Sequence, residues 1–127
     1  MTLYINTTGH DEIIIALRVG AKVIASRKIK APRRQAEKLV PGIDRLLKAH
    51  KIKLSALKKI VVANQGGSFT ALRIGVITAN ALAYALKIPV VAEPKTAQKN
   101  KKFGSYSLVE PLYDREPNIG IPKKLKL

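Results

Sequence analysis

The residues of this chain that could do chemistry are few, and none of them stands at a catalytic spacing. His10 and His50 each lack the second ligand of an HxxxH or HxxE motif, which argues against a metal site. Ser68 and Thr70 carry hydroxyls, but no histidine or carboxylate lies at motif spacing to activate them. The 127 residues include no cysteine, so disulfides and thiolate chemistry are excluded. The sequence therefore predicts a protein that is not an enzyme and that binds no metal or cofactor of its own.

A glycine-rich turn, Asn64-Gln65-Gly66-Gly67-Ser68, precedes a long apolar segment. Backbone N–H groups of such a turn can bind phosphate at a helix N-terminus, yet no Lys-Ser/Thr pair follows as in a P-loop. Ser68 is well suited to cap the next helix, because its hydroxyl can accept a hydrogen bond from the first helical turn. We therefore interpret the segment as a steric turn, with phosphate binding as the alternative.

Charge is the strongest signal in the composition, with a net +16 from 24 basic and 8 acidic residues. Residues 1–60 hold 14 of the basic and 4 of the acidic side chains, whereas residues 61–94 hold only Arg73, Lys87 and Glu93. A basic coat around a neutral centre indicates a polyanionic neighbour, and RNA is the obvious candidate. A general basic shift in composition is the alternative interpretation.

No segment of the chain has the pattern of a membrane span or a signal peptide. No apolar run approaches the ~20 residues that a bilayer-spanning helix needs. Met1–Ile5 continues directly into a strand pattern without a basic leader. We therefore expect no membrane contact and a cytoplasmic location.

The periodicity of the apolar residues predicts five strands and two helices. Segments rich in β-branched residues predict a three-stranded antiparallel meander at Thr2–Thr7, Glu12–Val19 and Val23–Ile29. An amphipathic pattern from Arg33 or Arg34 to His50 predicts a helix, which Pro41 is expected to kink. A second helix, Phe69–Leu86, is apolar nearly all round. It carries small residues at every fourth position, which would let another helix approach closely, at Ala71, Gly75, Ala79 and Ala83.

Two short buried strands, Ile60–Ala63 and Ile88–Glu93, each follow one of these helices. The order of elements predicts an α/β fold with a mixed five-stranded sheet, three strands antiparallel and then two parallel, and two main helices. This is the architecture of a single actin-like, ribonuclease H-like lobe. Composition changes after Pro94, so we divide the chain into a lobe at 1–94, a basic linker at 95–107 and an extended tail at 108–127 docked on the lobe.

The stretch GSFTALRIGV, from Gly67 to Val76, resembles the PGSFTGLRIGV signature of the TsaB (YeaZ) family. The resemblance runs from Met1 to about Pro94 and includes LYINTT, LVPGIDRLL and KIPVVA; VEPLYDREP near the C-terminus is similar to the family's PxYLR segment. The family has a second lobe between KIPVVA and that segment, so the chain looks like a family member reduced to its first lobe. The family's first-strand Asp is Asn6 here, which weakens any case for metal–nucleotide chemistry.

This resemblance implies a non-catalytic partner subunit in the threonylcarbamoyladenosine modification of tRNA. Such a subunit would bind a TsaD-like catalytic protein, or a second copy of itself, through its two helices, and would contact tRNA indirectly or weakly. The alternative is a free-standing basic module that binds RNA or self-associates. An actin-like enzyme ranks last, because nucleotide clefts of this superfamily form between two lobes. The predicted interface consists of Leu39, Ile43, Leu46, Leu47, Ile74, Thr78, Ala81 and Leu82, and the predicted RNA contacts are Arg34, Lys38, Arg45 and Arg73.

Overall fold

A computed structural model describes residues 1–9, 11–66, 69–93, 101–103 and 106–109 of the chain. The five strands and two helices that the sequence predicts follow one another in the expected order, with a short 3-10 helix at Leu54–Ala56 and two further strands after them. The elements are β1 (Thr2–Asn6), β2 (Glu12–Val19), β3 (Lys22–Lys30), α1 (Gln35–Ala49), β4 (Lys59–Val62), α2 (Phe69–Leu86), β5 (Val90–Ala92), β6 (Lys101–Phe103) and β7 (Tyr106–Leu108).

Five strands form one mixed sheet in the order β3-β2-β1-β4-β5. Strands β1, β2 and β3 pair antiparallel, while β1 pairs parallel with β4 and β4 with β5. Gly20 turns the chain between β2 and β3 with a φ of 61°, a conformation that glycine adopts without strain. The predicted fold class, three antiparallel strands followed by two parallel ones with two helices, is confirmed.

Alternation along the strands divides the sheet into two faces. Leu3 and Ile5 of β1 and Ile13 and Ile15 of β2 are fully buried on the face that packs against the helices. Ile14 points to the opposite face, where it packs against a small cluster formed by other strand residues. Three consecutive isoleucines in β2 therefore serve both faces of an interior strand, as their lack of alternation predicts.

Helix α1 lies over β2 and β3 through its apolar stripe. Gly42 makes the approach to β3 close, since a Cβ added there would lie 2.5 Å from Cδ1 of Ile29. The helix continues through Pro41 and ends at Ala49, one residue before the predicted end.

Helix α2 packs against the centre of the sheet through its small residues. Ala71, Gly75, Ala79 and Ala83 are all buried. A Cβ at Gly75 would lie 2.5 Å from Oγ1 and 3.2 Å from Cγ2 of Thr7, and the Thr7 hydroxyl donates a hydrogen bond to the Ala71 carbonyl. At Gly75 and Ala71 the small residues thus admit the Thr7 side chain, which follows β1.

The segment expected to be a linker contains two short strands. Strands β6 and β7 pair antiparallel as a separate two-stranded sheet within the stretch assigned from the sequence to the basic linker and the start of the tail. Val109 follows it and is buried, and Asn80 of α2 both donates to its carbonyl and accepts from its N–H at 2.9 Å. Residues 94–100 and 110–127 lie outside the described residues, so the domain limits and the docked tail stay predictions.

Replacing Gly75 with Ala should destabilise the protein, although alanine is the better helix former. The added methyl group meets Thr7, which is β-branched, buried and held by its hydrogen bond, so it has little freedom to move aside. We expect Gly75→Ala to lower the free energy of unfolding in urea by about 1–3 kcal/mol.

Gly42→Ala is the matched control, because there the methyl group meets the flexible end of Ile29 and makes ordinary contact, at 3.6 Å, with Cδ1 of Ile15. It should be neutral or gain up to about 1 kcal/mol from helix propensity. If Gly75→Ala is as stable as Gly42→Ala, the contact with Thr7 does not constrain α2.

Candidate partner surface

The four α1 residues predicted at an interface lie in the hydrophobic core. Leu39, Ile43, Leu46 and Leu47 are between 0 and 4% exposed and pack against strand and α2 residues. The apolar stripe of α1 is the face that holds the helix on the sheet, so these side chains are not on the surface where a partner would touch them. The prediction needs correction here: the stripe positions the helix and does not itself form the surface.

Three of the four predicted α2 residues lie on the boundary between core and surface. Ile74, Thr78 and Leu82 are partly buried, and Ile74 and Leu82 pack against the core cluster. Ala81 is exposed. Ile74, Thr78 and Leu82 thus flank the exposed face of α2, and Ala81 lies at the centre of that face beside residues that were not predicted.

The centre of that face is an apolar stripe of which the sequence predicts only Ala81. Ile77 is 57% exposed and Tyr84 is 61% exposed, and Ala81 lies between them on the same side of the helix. On α1, Val40 is 52% exposed. We call Val40, Ile77, Ala81 and Tyr84 the apolar stripe. The spacing of Ile77, Ala81 and Tyr84, at i, i+4 and i+7, could have revealed their shared face, but an all-apolar helix gives no contrast by which to orient it.

A groove opens near the N-terminal ends of the two helices. It has a volume of about 440 Å³ and is lined by Asp11, Arg33, Gln35, Ala36, Thr70, Ala71 and Ile74. Its lining holds one carboxylate and one guanidinium beside two neutral polar and three apolar residues. The groove extends the surface between α1 and α2.

The glycine turn before α2 is only partly described. Gly66 has a φ of 92°, a conformation that favours glycine, and this supports the interpretation as a steric turn. Gly67 and Ser68 lie outside the described residues, and so the helix cap and the phosphate-binding alternative stay predictions.

A polar cluster joins β1 to β5 on the other face of the sheet. The Tyr4 hydroxyl donates to Glu93 Oε2 at 2.7 Å and accepts from Asn6 Nδ2 at 2.9 Å, while Arg18 stacks 4.5 Å above the Tyr4 ring. Burial, and then the hydrogen bond to Glu93, raise the pKa of Tyr4 to about 12. The cluster is a hydrogen-bonded network that connects β1 to the residue after β5, and the buried Nε of Arg18 beside it has no hydrogen-bond partner within the described ranges.

Asn6 has a structural role that its departure from the family pattern did not suggest. Its Oδ1 accepts from the Thr8 N–H at 2.8 Å and from the Thr8 hydroxyl at 2.6 Å, and its Nδ2 donates to Tyr4. An aspartate could not make this donation. It would also place a second carboxylate near Glu93, which already accepts from Tyr4.

The remaining candidates for chemistry show ordinary contacts. His50 Nδ1 lies 3.1 Å from the Leu46 carbonyl, one turn earlier in α1, and His10 is outside the described residues. Among the residues that the structure describes, no three His, Cys, Asp or Glu side chains gather as a metal site would require. Across the same ranges, no helix combines the length and hydropathy of a bilayer span.

All four residues predicted to contact RNA are exposed, but they do not share one surface. Arg34, Lys38 and Arg45 lie on α1, whereas Arg73 lies on the outer face of α2. The structure therefore brings three of them together and separates the fourth.

The strand order and the two helices on one face define an actin-like, ribonuclease H-like lobe. Residues 15–96 match the model of the family described as "TsaD: tRNA N6-adenosine threonylcarbamoyltransferase". The "tRNA threonylcarbamoyladenosine biosynthesis protein TsaB" of Bacillus subtilis (strain 168) is 32% identical over 116 residues, which are 90% of this chain and 50% of that protein.

Two solved structures are similar to the chain: YeaZ from Pseudomonas aeruginosa, and an uncharacterized protein with similarity to peptidase YEAZ from the same organism. Each has a TM-score of 0.66 and 30% sequence identity, and each alignment covers 72% of this chain and 42% of the other. The chain belongs to this family and, within it, to the TsaB/YeaZ proteins. It spans about half the length of the curated relative that it matches.

The Tyr4 network should produce a late tyrosine titration. Folding favours the neutral phenol, so this contribution to stability is complete below pH 10 and is lost as the pH rises through about 12. Titration of tyrosinate absorbance should show a step at about pH 12 that Tyr4→Phe removes. Tyr84→Phe, at an exposed position, is the control and should retain the step. A step that persists in Tyr4→Phe would show that another tyrosine produces it.

Proposed function

We propose that this chain is a non-catalytic partner subunit in the threonylcarbamoyladenosine modification of tRNA. In this proposal it binds a TsaD-like catalytic protein through α1 and α2. The family membership and the name of the Bacillus subtilis relative support the pathway. The observation that carries the binding role is the apolar stripe, because Ile77 and Tyr84 are the most exposed large hydrophobic side chains among the described residues and they share one face of α2.

The apolar stripe has the composition of an interface centre. Tyrosine and isoleucine supply large contact areas, and Ala81 between them leaves room for a partner's side chain. Ile77 and Tyr84 are more than half exposed. A partner that removes them from water would stabilise the complex by about 25 cal/mol per Å² of apolar surface buried. Contiguous apolar surface of this kind marks interaction sites on soluble proteins.

The partially buried residues Ile74, Thr78 and Leu82 line the inner margin of the stripe. They keep a place in the proposed interface as its flank, next to Ala81. Leu39, Ile43, Leu46 and Leu47 act only indirectly, by fixing α1 on the sheet so that Val40 stands beside α2.

The assignment of a non-catalytic role rests on how the polar side chains are used. The side-chain amide of Asn6 forms hydrogen bonds with Thr8 and Tyr4. Glu93 accepts from Tyr4, and His50 contacts a helical carbonyl. Each candidate for chemistry among these residues is engaged in holding the fold. In the proposal the catalytic partner supplies metal, nucleotide site and transfer chemistry in the cytoplasm.

Self-association is the second candidate for the same surface. A two-fold dimer needs a self-complementary patch, and the apolar stripe with its small central Ala81 can pack against its own copy. The dimer and the TsaD-like complex would then compete, because both would cover Ile77 and Tyr84.

Replacing Ile77 with Asp should weaken binding to the TsaD-like protein of the same cell. The substitution places a charge at the centre of the contact, where a partner would have to desolvate it. We expect a loss of at least about thirtyfold in affinity, the size typical of an interface hot spot, by isothermal calorimetry.

Val23→Asp is the matched control, since Val23 of β3 is 50% exposed and lies at the far edge of the sheet from α2. Both variants should unfold at the wild-type urea concentration. Equal affinities for Ile77→Asp and Val23→Asp would contradict the proposed surface. Light scattering of the same samples without partner reports whether the chain dimerises, and a dimer that only Ile77→Asp dissociates would identify the stripe as the dimer surface.

A further inference from the structure

A basic surface lies at the opposite side of the lobe from the apolar stripe. Edge strand β3 carries four basic residues and no acidic one among its nine residues. Arg27 shares the helix-side face of the sheet with Ile29, and Lys28 and Lys30 lie on the other face of the same edge. All three side chains are exposed.

Helix α1 adds its own cations to this edge. Gly42 lies against Ile29 of β3, and Lys38 and Arg45 flank Gly42 at i−4 and i+3, which places them on the β3 side of the helix. Arg34 precedes Lys38 by one turn. We call Arg27, Lys28, Lys30, Arg34, Lys38 and Arg45 the basic edge.

Within the part of the chain that the structure describes, most charges of the basic edge have no ion-pair partner. Lys38 and Arg45 have no acidic residue three or four positions away in α1. Among the described residues, the ion pairs near this surface are Lys28 with Glu12 at 3.5 Å and, on a different side of α1, Lys48 with Asp44 at 3.0 Å. The helix thus compensates its charge on the solvent side and leaves it uncompensated beside β3.

Protection of an exposed strand edge accounts for only part of this pattern. Lysines on edge strands prevent pairing with other chains, and this suffices for Lys28 and Lys30. It does not explain Arg34, Lys38 and Arg45, which stand on a helix. Concentrating like charges destabilises a fold by self-repulsion, so a row that extends from strand to helix fits a ligand that compensates it.

We propose that the basic edge binds the phosphate backbone of RNA. Along α1 the row from Arg34 to Arg45 spans about 16 Å, a length suited to a continuous polyanion and not to a single phosphate. Its six members include no aromatic side chain on which a base could stack, so binding depends on backbone charge and not on base sequence.

The choice of RNA over DNA rests on the proposed function, while the charge argument stands without it. An anionic membrane is a poorer fit, because a membrane-surface helix carries bulky apolar residues beside its cations. On α1 the apolar residues next to the basic row are instead buried in the core.

The test measures binding of fluorescently labelled, unmodified transfer RNA at several salt concentrations, with the whole chain and no partner protein. If the six side chains each contact a phosphate, affinity should fall about a thousandfold between 50 and 200 mM salt. Lys38→Gln with Arg45→Gln should reduce that fall to about a hundredfold, since four contacts remain. Adding Arg27→Gln should reduce it again.

Lys58→Gln with Lys87→Gln is the matched control, because it removes the same charge from exposed positions on the β4 and β5 side of the lobe. It should keep the wild-type salt dependence. An unrelated RNA of equal length should bind the wild-type chain equally well.

Three results would overturn the proposal: equal salt dependence in the two double variants, no binding of RNA at 50 mM salt, or tight binding of phosphatidylserine vesicles that RNA does not displace. The apolar-stripe variant Ile77→Asp should bind RNA as the wild type does. A failure of partner binding is therefore distinguishable from a failure at the basic edge.

Discussion

Contact between the small residues of α2 and the end of β1 determines how the remaining surfaces are arranged. Gly75 admits the Thr7 side chain, whose hydroxyl bonds to the Ala71 carbonyl, so the rotation of α2 about its axis is fixed. Once Ala71, Gly75, Ala79 and Ala83 face the sheet, geometry turns Ile77 and Tyr84 to the outside. The apolar stripe is therefore a consequence of the packing at Thr7 and cannot be moved without disturbing the core.

How far the sequence predicts the structure depends on contrast between polar and apolar residues. The strand meander and both helices follow from clear periodicity, and α2 begins and ends at the predicted residues. The apolar face of amphipathic α1 is a contact face, as its periodicity predicts, but the contact is with the sheet. In α2, where nearly every residue is apolar, periodicity could not separate core from surface. The contact of Thr7 with Ala71 and Gly75 decides which side of α2 is buried, and it joins residues far apart in sequence.

Polar residues show the same limit. A substitution such as Asn6 for a family aspartate looks like the loss of a chemical group when read from the sequence alone. In the structure its amide donates to Tyr4 while Tyr4 donates to Glu93, a chain of donors that a carboxylate at position 6 would interrupt. The sequence shows the residue types, but Tyr4 lies on β1 and Glu93 directly follows β5. The two meet only through the parallel half of the sheet.

The two proposed surfaces lie on different sides of one helix pair, and α1 separates them. Its buried side holds the core, its side toward α2 carries Val40, and its side toward β3 carries Lys38 and Arg45. A protein packed on the apolar stripe would leave the basic edge in solvent, so both ligands could be bound together. In that arrangement the lobe links a catalytic partner to RNA without contributing a reacting group. The basic charge would then raise the concentration of RNA near the partner, an effect that weakens as salt screens charges beyond about 8–10 Å.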